Sequence, residues 1–127
     1  MMLTDELDVS IRQRAGVAII DLAGDVTTFA EDKINSAYAH VTGQGATNIL
    51  LHFQHSDYIN SAGIAILIGV ATEAQRNNQR IAISGLSQHF QRVFRMVGLA
   101  QYIDIYQDED EAFAGLAVSA RPPTLSV

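Results

Sequence analysis

The sequence contains no cysteine, so it can build neither a disulfide framework nor a thiolate nucleophile or metal site. Lys33 is the only lysine, and no Gly-rich loop leads into it, which removes the usual phosphate cradle of nucleotide-binding folds. Nowhere is there a run of about 20 apolar residues, the length a membrane-spanning helix needs. Positive charge is scarce: eight Lys plus Arg stand against fourteen Asp plus Glu, a net charge of −6. That field repels phosphate backbones and anionic headgroups, which argues against nucleic acid and membrane partners. The start, Met1-Met2-Leu3-Thr4-Asp5-Glu6, lacks the basic region and apolar run of a secretion signal. A cytoplasmic protein is expected.

What is present suits a compact domain. The 127 residues are 48% hydrophobic and 17% charged, enough for one core and too few residues for two. Leu7, Val9 and Ile11 alternate with polar residues, the pattern of a half-buried strand. After Gly16, residues Val17 to Leu22 read as its hairpin partner. Ile34, Ala37, Tyr38 and Val41 recur at helical spacing, with Glu31 and Asp32 in the first turn and Gly43 and Gly45 beyond the end. Asn48 to Phe53 is short and nearly all apolar, which predicts a strand buried on both faces. A helix follows from Ser61, read as its N-cap, to Asn77. Ile81 to Ile83 form another inner strand, and Ser87 caps a helix whose stripe is Phe90, Val93, Phe94 and Val97, closed by Gly98. Tyr102 to Tyr106 make a last strand, and Asp108 to Glu111 open a final helix packed by Phe113 and Leu116.

This order, β-β-α-β-α-β-α-β-α, predicts a small α/β domain: a mixed, mainly parallel sheet with an N-terminal hairpin, covered by about four helices. Residues 1–118 are assigned to the single domain, and 119–127, with Pro122-Pro123, to a flexible tail.

Tyr58-Ile59-Asn60-Ser61-Ala62-Gly63-Ile64 carries the most chemical information, because a buried strand runs there through a short loop into a nearly uncharged helix. Ser61 would present a hydroxyl at the positive end of the helix dipole, and Gly63 would let another backbone come close. Taken alone, the pair is equally a helix cap and a packing glycine. The ordered set says more: Leu22-Ala23-Gly24-Asp25-Val26, then Asn60-Ser61-Ala62-Gly63-Ile64, then Phe94 with Val97-Gly98-Leu99. It resembles the STAS domain, named for sulphate transporters and anti-sigma-factor antagonists, over roughly Leu7 to Leu116. Ser61 matches the phosphorylated serine of that family's Asp-Ser-Ser-Gly-Leu signature, Gly63 its glycine and Ile64 its leucine. Two positions depart from the pattern. Asn60 stands where the family has Asp, and Thr27 replaces an acidic residue, leaving Asp25 as the nearby carboxylate.

The resemblance implies a regulatory binding module without an active site, cofactor or metal. Its unmodified form would engage an anti-sigma factor that is also a serine kinase, phosphorylation of Ser61 would end that engagement, and a phosphatase would restore it. A non-phosphorylated scaffold of a larger signalling complex and a nucleotide-binding STAS domain are the alternatives, and a weak homodimer stays open. Helical geometry adds a partner face. Ile64, Leu67, Ile68 and Ala71 point one way, and Ala62, Ile66, Gly69 and Glu73 the other, with Val70 and Asn77 on the flank. Ile66 is therefore expected to be exposed. Asp25, Thr27, Asn60, Ala62, Gly63, Ile66 and Val70 are the expected partner contacts around Ser61.

An enzyme would draw on His52, His55, Ser56, Asp57 and Ser61, which lie close in sequence. No nucleophile elbow surrounds either serine and no metal-ligand spacing is present, so these histidines read as structural or solvated. His89, Arg92 and Arg95 make either a local basic face or a solvated surface.

Overall fold

The computed structural model describes residues 7–54 and 58–119. Five strands form one sheet in the order β1 (Asp8–Arg14), β2 (Val17–Ala23), β3 (Asn48–Gln54), β4 (Arg80–Ser84) and β5 (Asp104–Ile105). β1 pairs antiparallel with β2, and every later neighbour is parallel. The mixed, mainly parallel sheet expected from the sequence is therefore the observed one. The β1–β2 turn places Ala15 at φ 46° and Gly16 at φ 89°, the left-handed pair that a tight hairpin requires.

Helices α1 (Glu31–Gly43), α2 (Ser61–Arg76) and α3 (Gln88–Met96) contribute to one large core, and α4 (Glu109–Ser119) packs on a smaller one. All four stripe residues of α1, Ile34, Ala37, Tyr38 and Val41, are buried as their spacing predicts. The small core joins Val17, Ile19, Leu50 and Ala82 of the sheet to Ala112 and Leu116 of α4. Charge completes that side. Arg12 donates to Asp21 at 2.5 and 3.0 Å and to Glu109, Arg14 donates to Glu109 and Asp110, and the Arg14 guanidinium lies 4.2 Å from the centre of the Phe113 ring.

Several sequence expectations need correction. The N-cap of α2 is Asn60, whose Oδ1 accepts from the Gly63 N–H at 2.8 Å; Ser61 is the first helical residue. Val97 lies beyond α3 and is half exposed, while Ser87 does cap the helix as expected. The last strand shrinks to two residues because a 3₁₀ turn at Leu99–Gln101, entered through Gly98 at φ 83°, takes up the preceding backbone. Val70 is 2% exposed and belongs to the large core. α4 continues through Ser119, and the remainder of the assigned tail, 120–127, lies outside the described residues.

Candidate functional site

Two loops at the C-terminal ends of β2 and β3 are tied together and carry the first turn of α2. Val26 and Ile59 form a parallel bridge, with the Val26 N–H donating to the Tyr58 carbonyl at 2.9 Å and the Asn60 N–H to the Val26 carbonyl at 3.2 Å. Both side chains are buried, which anchors the joint in the core. Gly24 makes the turn out of β2 at φ 120°, a backbone that side chains rarely adopt. Gly63 then sits directly on the Val26 carbonyl: a Cβ at residue 63 would lie 2.2 Å from that oxygen. The close backbone approach expected at Gly63 is thus real and internal. Gly63 is buried and serves the joint, so it is withdrawn from the expected partner contacts together with Val70.

Ser61 follows from this joint. It is exposed at the first position of α2, and its hydroxyl has no hydrogen-bond partner among the described residues. Because Asn60 supplies the cap, the Ser61 oxygen is not consumed in holding the helix. The N–H groups of the first turn point at the same region, where the helix dipole favours negative charge. Thr27 turns inward to its own loop, its Oγ1 accepting from the Phe29 N–H at 3.3 Å and opening a 3₁₀ turn at Thr28–Ala30. Asp25 lies partly buried on the other side of Val26, with interactions of its own.

The surroundings are apolar and uncommonly open. Phe29 is 93% exposed and Tyr58 51%, one on each of the tied loops. Between the Thr28–Ala30 turn, α1 and α2 runs a groove of about 280 Å³ lined by Thr28, Glu31, Asn35, Ala62, Ala65, Ile66 and Gly69. Ala62, Ile66 and Gly69 are the outward residues that the helical spacing selected. Ile66 is only half exposed and packs partly against the core. Phe29 is absent from the expected partner contacts, although the sequence carries a signal for it. It precedes Ile34 by five positions and so falls out of phase with the buried stripe of α1.

A serine and a histidine do meet, but elsewhere. Asp21, His52 and Ser84 stand in register across β2, β3 and β4, and His52 Nδ1 lies 2.8 Å from Ser84 Oγ. Ser84 is fully buried, so its hydroxyl is closed to substrate. This row is a structural network that reaches Gln54, Arg12 and Glu109. His55, Ser56 and Asp57 lie outside the described residues. Among the described residues no group of His, Asp and Glu could hold a metal ion, and no helix is long and apolar enough to cross a membrane.

The sequence pattern of the STAS domain matches residues 8–112. The chain belongs to the STAS domain family. Within the family it is similar to the anti-sigma-B factor antagonist of Bacillus subtilis, 20% identical over 78% of this chain and 90% of that protein. It is also similar to a putative anti-sigma factor antagonist of Bordetella bronchiseptica, 23% identical over 78% of this chain and 85% of that one. A crystal structure of an anti-sigma factor antagonist from Mycobacterium paratuberculosis shares the fold with a TM-score of 0.79, covering 92% of this chain and 99% of that one at 14% identity. The phosphorylated form of the Bacillus cell fate determinant SpoIIAA gives 0.64, covering 85% and 98% at 22% identity. The tied loops and α2 of this STAS domain lie inside the matched span.

Proposed function

We propose that this STAS domain is an anti-sigma factor antagonist that binds an anti-sigma factor acting also as a serine kinase, and that phosphorylation of Ser61 ends the binding. The observation that carries the reading is the free, exposed hydroxyl of Ser61 on a helix capped by its neighbour. Esterifying that oxygen breaks no existing hydrogen bond, so the modified protein keeps its fold. Kinase transfer of the ATP γ-phosphoryl group to Oγ releases ADP and the hydroxyl proton and leaves roughly −1.5 to −2 charges at the site. In the free domain the first turn of α2 and its dipole accommodate that charge.

In a complex the same charge is costly. Phe29, Tyr58 and the small residues of α2 suit a close apolar contact, and a phosphate at its centre must lose its hydration. Where a carboxylate of the partner lies about 4 Å away, repulsion is about 4 kcal/mol at an effective dielectric of 20. Every 1.4 kcal/mol or so is tenfold in affinity, so one modification suffices to release the partner. A phosphatase that removes the group restores docking. Neutral Asn60 strengthens the contrast, because the residue directly before Ser61 carries no charge before modification. The reading requires binding and modification of this chain and no turnover by it, and it places the domain's work in the cytoplasm. Supporting it are the similar anti-sigma factor antagonists of Bacillus subtilis and Bordetella bronchiseptica and the match of Ser61 to the family's phosphoacceptor position.

The test incubates the protein with ATP and a candidate anti-sigma factor of the histidine-kinase-like ATPase class from the same organism, followed by peptide mapping and affinity measurement. Label on Ser61, absent from Ser61→Ala, and a loss of affinity of at least about tenfold on modification are the expected results. Label on Thr27 or Thr28 with none on Ser61 overturns the reading.

A further inference from the structure

Half of the chain's eight basic residues lie in one stretch. The thirty residues from Ala74 to Ile103 hold four arginines and no acidic residue, within a chain of net charge −6. Two of the four are paired: Arg76 with Glu73 at 3.4 Å and Arg80 with Asp104 at 3.0 Å. Arg92 and Arg95 have no partner among the described residues, and both are exposed on α3. Beside them Met96 is 78% exposed. These residues bound a groove of about 500 Å³ between α3 and the segment after β5, lined by Gln88, Gln91, Arg92, Arg95, Met96 and Gln107. Two guanidinium groups, three amides and a thioether face it, and no carboxylate does.

We propose that this groove is a second docking surface, for an acidic segment of a polypeptide that also carries an apolar side chain. Arg92 and Arg95 offer planar forks suited to carboxylates, and Met96 offers an adaptable apolar contact beside them. A second copy of this chain could not offer its Asp108–Glu111 cluster without giving up contacts that the cluster already makes. Its own acidic cluster is already engaged, Glu109 and Asp110 by Arg12 and Arg14, Asp108 by the Glu111 N–H and Glu111 by the Gln107 N–H. A nucleic acid fits poorly as well. Asp108 directly follows Gln107, so a polyanion longer than the groove runs onto negative charge, and the net charge of −6 opposes it throughout. The groove shares no residue with the one beside Ser61, so the two surfaces can be occupied by different partners.

The probe is a synthetic peptide of alternating Glu and Leu, titrated into the isotope-labelled full chain while backbone amide resonances are followed. A Lys and Leu peptide and a single-stranded oligonucleotide serve as comparisons. Saturable shifts at Gln88 to Met96 and at Gln107 with the acidic peptide alone are expected, weakening with added salt. Arg92→Glu with Arg95→Glu should reduce affinity at least about tenfold while the circular dichroism stays unchanged, because neither side chain contributes packing. Met96→Ala should weaken binding at every salt concentration. Shifts confined to the residues around Ser61, tighter binding of the oligonucleotide, or no saturable shift in α3 would each overturn the proposal. Ser61→Ala should leave this titration unaltered, so the result stands apart from the phosphorylation reading.

Discussion

The two faces of the sheet are held by different forces. On the side of α1, α2 and α3 the core is apolar, and the first turn of α2 is seated by a glycine resting on the Val26 carbonyl. On the side of α4 six buried residues form the core, and an ionic lattice of Arg12, Arg14, Asp21, Glu109 and Asp110 finishes the attachment. The contrast explains where a charge can act as a signal. A phosphate added near the lattice would meet charges already satisfied by one another, whereas at Ser61 it enters a mostly apolar neighbourhood whose character it changes.

The sharpest way to break the apolar side is Gly63→Ala. The new methyl group would lie 2.2 Å from the Val26 oxygen, a backbone atom that cannot rotate away, so α2 must shift off the joint. We expect a loss of about 3 kcal/mol in denaturant unfolding, with Ser61 displaced as well. The charged side breaks more gently. Asp21 is 7% exposed and accepts from Arg12 and Gln54, but the Arg12 side chain is 42% exposed and can return to water. Asp21→Ala should therefore cost about 2 kcal/mol, less than a fully enclosed pair would.

Acid should separate the two sides without any substitution. The Arg12 guanidinium, hydrogen-bonded to Glu109, holds that carboxyl below the usual glutamate range. Glu109 is therefore more readily protonated in the unfolded chain than in the folded one. The stability it contributes is complete above its ordinary pKa of about 4.3 and is lost as pH falls through the lowered folded value. Thermal midpoints measured from neutral pH downward should drop in that window. Glu109→Gln should start lower and lose less on acidification; an identical acid limb in the variant would remove Glu109 from the account.

Much of this was legible in the sequence where the signal is local. The α1 stripe, the Ser87 cap and the strand order each depend on residues a few positions apart. α2 carries less phase information because nearly every residue from Ala62 to Ala71 is apolar or small, so spacing alone rotates its inner face and puts Val70 on the flank instead of in the core. The expected cap differs from the observed one by one residue because Asn and Ser are nearly equivalent at that position, and only the Gly63 N–H geometry separates them. Contacts between distant residues left no trace in a single sequence: Arg12 and Glu109 are 97 positions apart, and nothing in the spacing joins Gly63 to Val26. Ser61 itself was recognisable through its motif. Its freedom from capping was not.

That distinction can be tested directly. Asn60→Ala removes the acceptor for the Gly63 N–H and should cost about 1 kcal/mol, whereas Ser61→Ala should change stability very little. Were Ser61 the true cap, the two losses would be reversed. Urea midpoints of the two variants, measured side by side, decide between these outcomes.

The smallest effect has the opposite sign. Gly69 lies exposed in α2, its φ is ordinary, and a Cβ there would touch nothing within 4 Å. Glycine in a helix interior is less stable than alanine by about 0.8–1 kcal/mol, so Gly69→Ala should raise the unfolding midpoint. The same methyl group would project into the groove shared with Ala62, Ala65 and Ile66. If that groove receives a partner's side chain, the variant will be more stable and bind less tightly, a separation that a purely structural role for the α2 surface would not produce. Equal binding by the stabilised variant would confine the contact to Ser61 and the exposed Phe29 and Tyr58, and leave the groove out of it.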